Sequence, residues 1–478
     1  MFLNKYKNNS FDFLIITILW GCGNSVSQKQ LNNDIYPPAT KYATICYAED
    51  VSSKPSSARI LAAHFQTDSI LDVSWMKQFD QEGNYEVVIS YSVTKPGAAI
   101  SITADSETIN DSLPVTSGVY LESKDWYNFN CERRLLSKSV SLAKGMNTIQ
   151  LKLSPGLEET NLILYNLEFM PADKKNEALD DIKEAVESRP DMKWFSSMKY
   201  GVMFHWTAQT APKEGPVKSY QEMVKDFDVK KFVDMVEKTG AEYVVFTGNH
   251  AKPHFPGPLS TWEKEFPGQT TKRDLLMEIA TALKEKNIRF ILYLATHIYS
   301  KQDKVDDAEF DRLNTTLLTE IGTHYGNKID GLWLDGFYQS FKTHSSFDFK
   351  KFYSTCKVGN ASRLLALNSW LYPVVTQWQD YWAGEVYTPS AVPDATIINE
   401  GPGKGLPFHS LVVMENDWVH EKVNEKIPSP RLKAEQLTEY ISSCKGKGPV
   451  TINLGIYQDG TIGEEALAEM EKIKKAVN

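Results

Sequence analysis

Cysteine is scarce in this 478-residue chain: five residues, with no two spaced as a metal-binding or redox pair. That excludes a disulfide-dense scaffold and makes a zinc site a poor reading. Cys46, Cys131, Cys356 and Cys444 are expected as buried free thiols. Basic charge is also in short supply. Lys and Arg number 52 against 61 Asp and Glu, a formal net charge of -9. A nucleic-acid binder that tracks phosphates needs a basic face, and a polybasic membrane-surface protein needs a basic patch, so both are excluded. Internal repeats and low-complexity tracts are absent. What remains, 42% hydrophobic and 24% charged, is the composition of a folded enzyme or binding protein.

One segment reads as a membrane signal. Lys5 and Lys7 precede a largely apolar run, residues 13–20, followed by Gly21 and Cys22. The run is far short of the roughly 18 residues that cross a bilayer, and its order is that of an export signal. Leu19-Trp20-Gly21-Cys22 resembles a lipobox, with Cys22 as the lipidated residue. Residues 1–22 are therefore expected to direct export to the periplasm or the cell surface. Membrane contact is expected only through that anchor.

Two patterns divide the rest. Residues 45–171 alternate apolar and polar positions in short runs broken by Gly, Pro, Asn and Asp, which predicts a β-sandwich of about eight strands. Gly83-Asn84-Tyr85, Asp125-Trp126-Tyr127 and Lys144-Gly145-Met146-Asn147 resemble phrases in carbohydrate-binding modules of families 6 and 35. That resemblance implies a glycan-binding sandwich with Trp126 or Tyr127 as a stacking surface. Residues 172–191 are polar and predict a linker helix. From residue 192 to 478, strands and helices alternate. The predicted strands are 200–205, 243–247, 289–295, 331–335, 364–368, 381–385, 411–415 and 449–453. Eight apolar strands with intervening helices predict a (β/α)8 barrel. An open dinucleotide-binding sheet would carry a Gly-rich first turn, and none follows the first strand.

Barrel active sites lie at the C-terminal strand ends, and here those ends are polar. They carry His205 and Trp206, Asn249 and His250, His297, Asp335, Asn368, Glu385, Glu415 with Trp418, and Asn453. Imidazoles, amides, indoles and carboxylates at one mouth are the inventory of a glycosidase pocket. Neither a cofactor nor a metal is called for. His250 and His254 have a ligand-like spacing, but Pro253 between them disfavours a helix. Gly401-Pro402-Gly403-Lys404-Gly405 lacks the spacing of a phosphate loop.

Four phrases carry a resemblance: residues 199–206, 240–247, Lys272-Arg273-Asp274-Leu275-Leu276, and above all Ile329-Asp330-Gly331-Leu332-Trp333-Leu334-Asp335-Gly336. They are similar to glycoside hydrolase family 29, the retaining α-L-fucosidases, as is the run from Gly448 to Ile462. The resemblance implies a terminal-sugar hydrolase acting on glycans, with Asp335 as nucleophile on strand four. Glu415 is expected as the acid, with Glu385 and Glu400 as competitors. His205, Trp206, His250, His297, Trp333 and Trp418 are expected to shape the sugar subsite. The chain departs from the family at three places. Its Pro-Trp-Glu phrase is Pro407-Phe408-His409 here, its Thr-Pro-Glu phrase is Thr388-Pro389-Ser390, and the histidine pair after strand two keeps only His250 cleanly. Lys252 or His254 could replace the missing donors. Alternatives are a catalytically silent glycan-binding protein and a retaining enzyme for a galactoside-like sugar.

Overall fold

The structure is a computed structural model describing residues 42–51, 63–67, 71–93, 98–116, 131–154, 160–337, 342–344, 346–370 and 372–477. The export segment and the phrase with Trp126 and Tyr127 lie outside these residues. No helix among them is long and apolar enough to cross a membrane.

The N-terminal part holds nine strands in two antiparallel sheets among the described residues. β1 (Thr44–Tyr47), β2 (Ala63–Thr67), β4 (Gly83–Val93), β7 (Glu132–Leu142) and β9 (Thr160–Pro171) make one sheet, in the order β1-β9-β4-β7 with β2 also on β9. β3 (Leu71–Phe79), β5 (Ala98–Ala104), β6 (Glu107–Leu113) and β8 (Gly145–Ser154) make the other, in the order β3-β8-β5-β6. Alternation sets the packing. In β3, Val73, Trp75 and Phe79 are buried while Asp72, Met76 and Gln78 are exposed. The buried set meets Val87, Ile89, Leu167 and Phe169 of the other sheet in one apolar core. Each such large side chain contributes about 1.5–3 kcal/mol by leaving water.

The C-terminal part is one curled sheet of eight parallel strands: β10 (Tyr200–Phe204), β11 (Tyr243–Asn249), β12 (Arg289–Ala295), β13 (Gly331–Asp335), β14 (Leu364–Leu367), β15 (Glu385–Tyr387), β16 (Ser410–Val413) and β17 (Val450–Asn453). Their order, β14-β13-β12-β11-β10-β17-β16-β15, is that of a barrel interrupted between the fifth and sixth strands. Inward positions such as Met203, Val245, Tyr293, Trp333 and Leu411 fill the interior. Outward positions such as Val202, Phe204, Phe246 and Val412 join the helix-facing core.

The interruption corrects the expected sixth strand. The predicted strand 381–385 is not a strand until Glu385, so no ladder joins it to β14. One backbone bond and several side chains bridge the seam instead. The Asp380 backbone N–H donates to Leu365 O at 2.7 Å. Its carboxylate, fully buried, accepts from Leu365 N at 2.6 Å, from Tyr353 Oη at 2.6 Å and from Lys357 Nζ. Gln379 Oε1 accepts from Leu367 N at 3.1 Å. No helix lies between β14 and β15 among the described residues. The expected linker helix, α1 (Lys175–Glu187), covers the seam, with Trp378 Nε1 donating to Asp181 Oδ2 at 3.1 Å.

Asp380 therefore holds the seam, and Lys357, 12% exposed, has its charge partner there. Asp380→Ala strands that ammonium and should cost about 3–5 kcal/mol of stability. Denaturant unfolding followed by circular dichroism measures this; a loss under about 1 kcal/mol would show that the seam is held elsewhere.

Candidate active site

Asp335 ends β13 at the strand mouth, and three donors converge on its carboxylate. Tyr293 Oη donates to Oδ2 at 2.6 Å, Asn368 Nδ2 to Oδ1 at 2.8 Å, and the Gly336 N–H to Oδ1 at 2.8 Å. Gly336 has φ 75°, and a Cβ there would collide with His297 Nδ1. Glycine is thus required both for the turn and for the approach of His297.

A second carboxyl group, Glu385, joins the same hydrogen-bond network. Asn368 Nδ2, besides bonding Asp335, donates to Glu385 Oε2 at 2.5 Å. One nitrogen at 2.8 Å from one oxygen and 2.5 Å from the other keeps those oxygens within about 5.3 Å. Retaining glycosidases need their carboxyl groups about 5–5.5 Å apart. The amide is itself fixed, because Asn368 Oδ1 accepts from Trp370 N at 2.9 Å. Burial first, then the Asp335 charge, pushes the Glu385 carboxyl up to about 8. A carboxyl protonated near neutrality beside an ionised one is the usual division into acid and nucleophile.

Glu415, the expected acid, shares none of these hydrogen bonds, and its Oε1 is buried without a protein partner. It is buried under the segment that returns at Arg431, whose N–H donates to Met414 O at 2.9 Å and whose Nε donates to Glu415 O at 2.8 Å. Its Oε2 accepts from Gly455 N at 3.2 Å, and burial raises it to about 7. None of the groups bonded to Asp335 bonds Glu415. Glu400 is exposed, on the loop whose Gly401 N–H donates to Glu132 of the N-terminal sheet. His409, standing where the family has its glutamate, has both nitrogens engaged: Nδ1 with Ala383 O at 2.9 Å and Nε2 with Thr451 Oγ1 at 2.7 Å.

Three histidines surround Asp335. The His205 ring lies 5.5 Å from His250, 5.1 Å from Tyr293 and 5.2 Å from Trp418. Asn453 Nδ2 donates to Trp418 O at 3.3 Å, so its Oδ1 accepts from His205 Nδ1 at 2.8 Å. That tautomer leaves His205 Nε2 as an acceptor. Burial, with His250 nearby, pulls His205 down to about 4, and burial also lowers His250 and His297. His250 Nδ1 and His297 Nδ1 are buried without a protein partner. Two unpartnered imidazole nitrogens flanking a carboxylate are places for ligand hydroxyls.

Other expected residues fall outside this group. Trp206 points outward, packed on Phe227 at 5.2 Å with Nε1 bonded to Gln458 O at 3.1 Å; it belongs to the helix-facing core. Trp333 lies beneath the site, stacked on Tyr293 at 5.3 Å. His254 stacks on Tyr220 at 4.5 Å, next to Trp206, so it does not replace the missing histidine. Lys252 is exposed. Tyr293 was not anticipated. Its inward parity with Ile291 and Ala295 was readable in an otherwise apolar strand.

Comparison with known proteins adds a family. The family model described as Alpha-L-fucosidase matches residues 219–477, just over half of the chain. The tissue α-L-fucosidase of Homo sapiens is 29% identical over 142 residues, 23% of this chain and 30% of that protein. The plasma α-L-fucosidase of Pongo abelii is 24% identical over 346 residues, 61% of this chain and 69% of that protein. The chain thus spans under a third of the length of the Homo sapiens tissue enzyme. Among solved structures, a bacterial fucosidase bound to an inhibitor has TM-score 0.42 at 17% identity, covering 59% of this chain and 72% of that one. An endo-fucoidan hydrolase of glycoside hydrolase family 107 has TM-score 0.46 at 14% identity, covering 59% and 63%.

The raised Glu385 carboxyl has a consequence for stability. Its folded value, about 8, lies above an ordinary value near 4.5. The proton it retains stabilises the fold fully below about 4.5, and that contribution is lost as pH rises through about 8. Glu385→Gln cannot ionise, so its melting temperature should gain on the native protein's between pH 5 and 8 and level off above. A gap that stays constant over that window would place the titration elsewhere.

Proposed function

We propose that the chain, which belongs to the α-L-fucosidase family, is a retaining exo-glycosidase that removes a terminal fucose or closely related sugar from a glycan. The observation carrying this reading is the Asp335–Glu385 pair joined through one amide, with oxygens no more than about 5.3 Å apart. The curled sheet then works as a (β/α)8 barrel whose mouth is the site.

The chemistry follows from the placement. Asp335 attacks the anomeric carbon while Glu385 gives its proton to the departing glycosidic oxygen, so that bond breaks as the glycosyl–Asp335 ester forms. Glu385, now ionised, takes a proton from water; the water oxygen bonds the anomeric carbon, releases the Asp335 carboxylate and restores the Glu385 proton. His205 Nε2 and the free nitrogens of His250 and His297 hold the sugar hydroxyls, with Trp418 as the apolar wall. All three imidazoles are neutral near pH 7, so they orient the sugar without drawing charge from Asp335. Export with a lipid anchor at Cys22 would bring the enzyme to extracellular glycans.

Asp335→Gly should lower turnover of nitrophenyl α-L-fucoside at least about a thousandfold, with azide restoring part of the rate. Glu385→Ala should slow alkyl fucosides far more than nitrophenyl fucoside, because an activated leaving group needs little protonation. Glu415→Ala should not discriminate between them. Discrimination at Glu415 instead of Glu385 would reverse the assignment. A native protein that binds fucosides but turns over none would favour the silent glycan binder, and a nitrophenyl galactoside preferred over the fucoside would change the sugar.

A further inference from the structure

The mouth's weakest point is the seam between β14 and β15, yet that is where Asn368 and Glu385 face each other across the missing ladder. To the Asp380 and Gln379 contacts the N-terminal part and the segment after it add their own. Tyr165 of β9 meets Tyr372 edge to face at 5.6 Å, and Tyr372 meets Trp370 at 5.8 Å. Trp370 sits at φ 50°, a left-handed conformation that a bulky residue keeps only when its surroundings hold it. From that position its N–H fixes the Asn368 amide. Arg189, just past α1, reaches the same seam: Nε donates to Gln379 O at 2.9 Å and Nη2 to Gln377 Oε1 at 2.8 Å. Glu132 of β7 accepts from Gly401 N at 3.3 Å, and Pro402 O in turn accepts from Val374 N at 3.0 Å.

The sheets themselves are arranged for this work. One face of the β1-β9-β4-β7 sheet gives Tyr47, Cys131, Ile163 and Tyr165 to the same apolar cluster as Tyr372, Val374 and Trp378. The outer face of the other sheet carries Asp72, Ser74, Met76 and Gln78 from β3, and Thr148, Gln150 and Lys152 from β8. No aromatic platform for a sugar stands on either strand's outer face.

We infer that the N-terminal domain is a positioning device for the proposed reaction. Tyr165 and Arg189 hold the loop after strand five and the seam, and so set the angle at which Asn368 joins Asp335 to Glu385. The inference rests on the Asp335–Glu385 assignment. Tyr165 and Arg189 are positioning residues, remote from the reacting atoms.

The full-length protein tests this through the Glu385 titration, followed by NMR on protein labelled with 13C-carboxyl glutamate and assigned with Glu385→Gln. The groups facing Glu385 are the Asp335 carboxylate, which raises it, and the Asn368 amide, which lowers it. Loosening the seam admits water to Glu385 and parts it from Asp335, weakening its two largest raising causes, so Tyr165→Ala and Arg189→Met should each move the Glu385 titration to lower pH. Turnover should fall roughly tenfold or more at KM changed by less than about twofold, since a misplaced catalytic group acts on turnover. Tyr165→Phe keeps the ring edge and should restore both. Unshifted titration in folded Tyr165→Ala and Arg189→Met would overturn the inference whatever the activity. A native enzyme inactive on every fucoside would instead defeat the proposed function, and the titration would still decide the positioning role.

Discussion

Two carboxyl groups about 5 Å apart repel by about 3 kcal/mol at an effective dielectric of about 20. A hydrogen bond returns only about 1 kcal/mol. Asp335 and Glu385 therefore share the Asn368 amide at least cost while one keeps its proton. The rest of the site is arranged around that condition. Tyr293, Gly336 and Asn368 all donate to Asp335, which assigns the anion to one side. Glu385 is given the proton by its own burial and by the Asp335 charge, against the Asn368 amide.

The histidines obey the same accounting of charge. A protonated imidazole near Asp335 would neutralise the nucleophile and lower Glu385, dissolving the division of roles. Burial prevents this by lowering His205, His250 and His297 together, against the pull of the Asp335 charge that acts on each of them. A neutral imidazole offers one donor and one acceptor, which is what a sugar hydroxyl can use. The Asn453 amide, tied to Trp418 O, makes that choice of tautomer for His205.

How much of this was legible in the sequence depends on whether a residue's role is local. Strands with clear apolar runs, such as β12 and β13, matched their expected bounds. The place of Asp335 at the strand mouth was readable because its small neighbour and strand-end position lie within one phrase. Trp206 was misplaced although its parity was available: Met203 and His205 face inward, so Trp206 faces out with Val202 and Phe204. The choice between Glu385 and Glu415 was not readable. Both stand near strand ends, and they are separated by Asn368 on another strand and by the return of Arg431 over Glu415. Those are contacts of long sequence separation, which no periodicity records.

The seam shows why such a chain needs an N-terminal domain against its barrel. A closed ring of eight strands fixes its mouth through continuous ladders, each strand registering the next. Here the ring lacks one ladder and the helix that would cover it, so backbone pairing alone leaves the fifth and sixth strands free to separate. Asp380 and Gln379 supply side-chain substitutes for the missing bonds at Leu365 and Leu367, the second of them one residue short of Asn368, where Glu385 is met. Further restraint comes from outside the sheet, through Tyr372 against Tyr165 and through the Glu132-bound loop. A shift of even 1 Å between Asn368 and Glu385 would break a hydrogen bond and change the repulsion that keeps the proton in place. The outer domain's rigidity, set by its own apolar core, thus bears on the proton of a carboxyl group it does not touch.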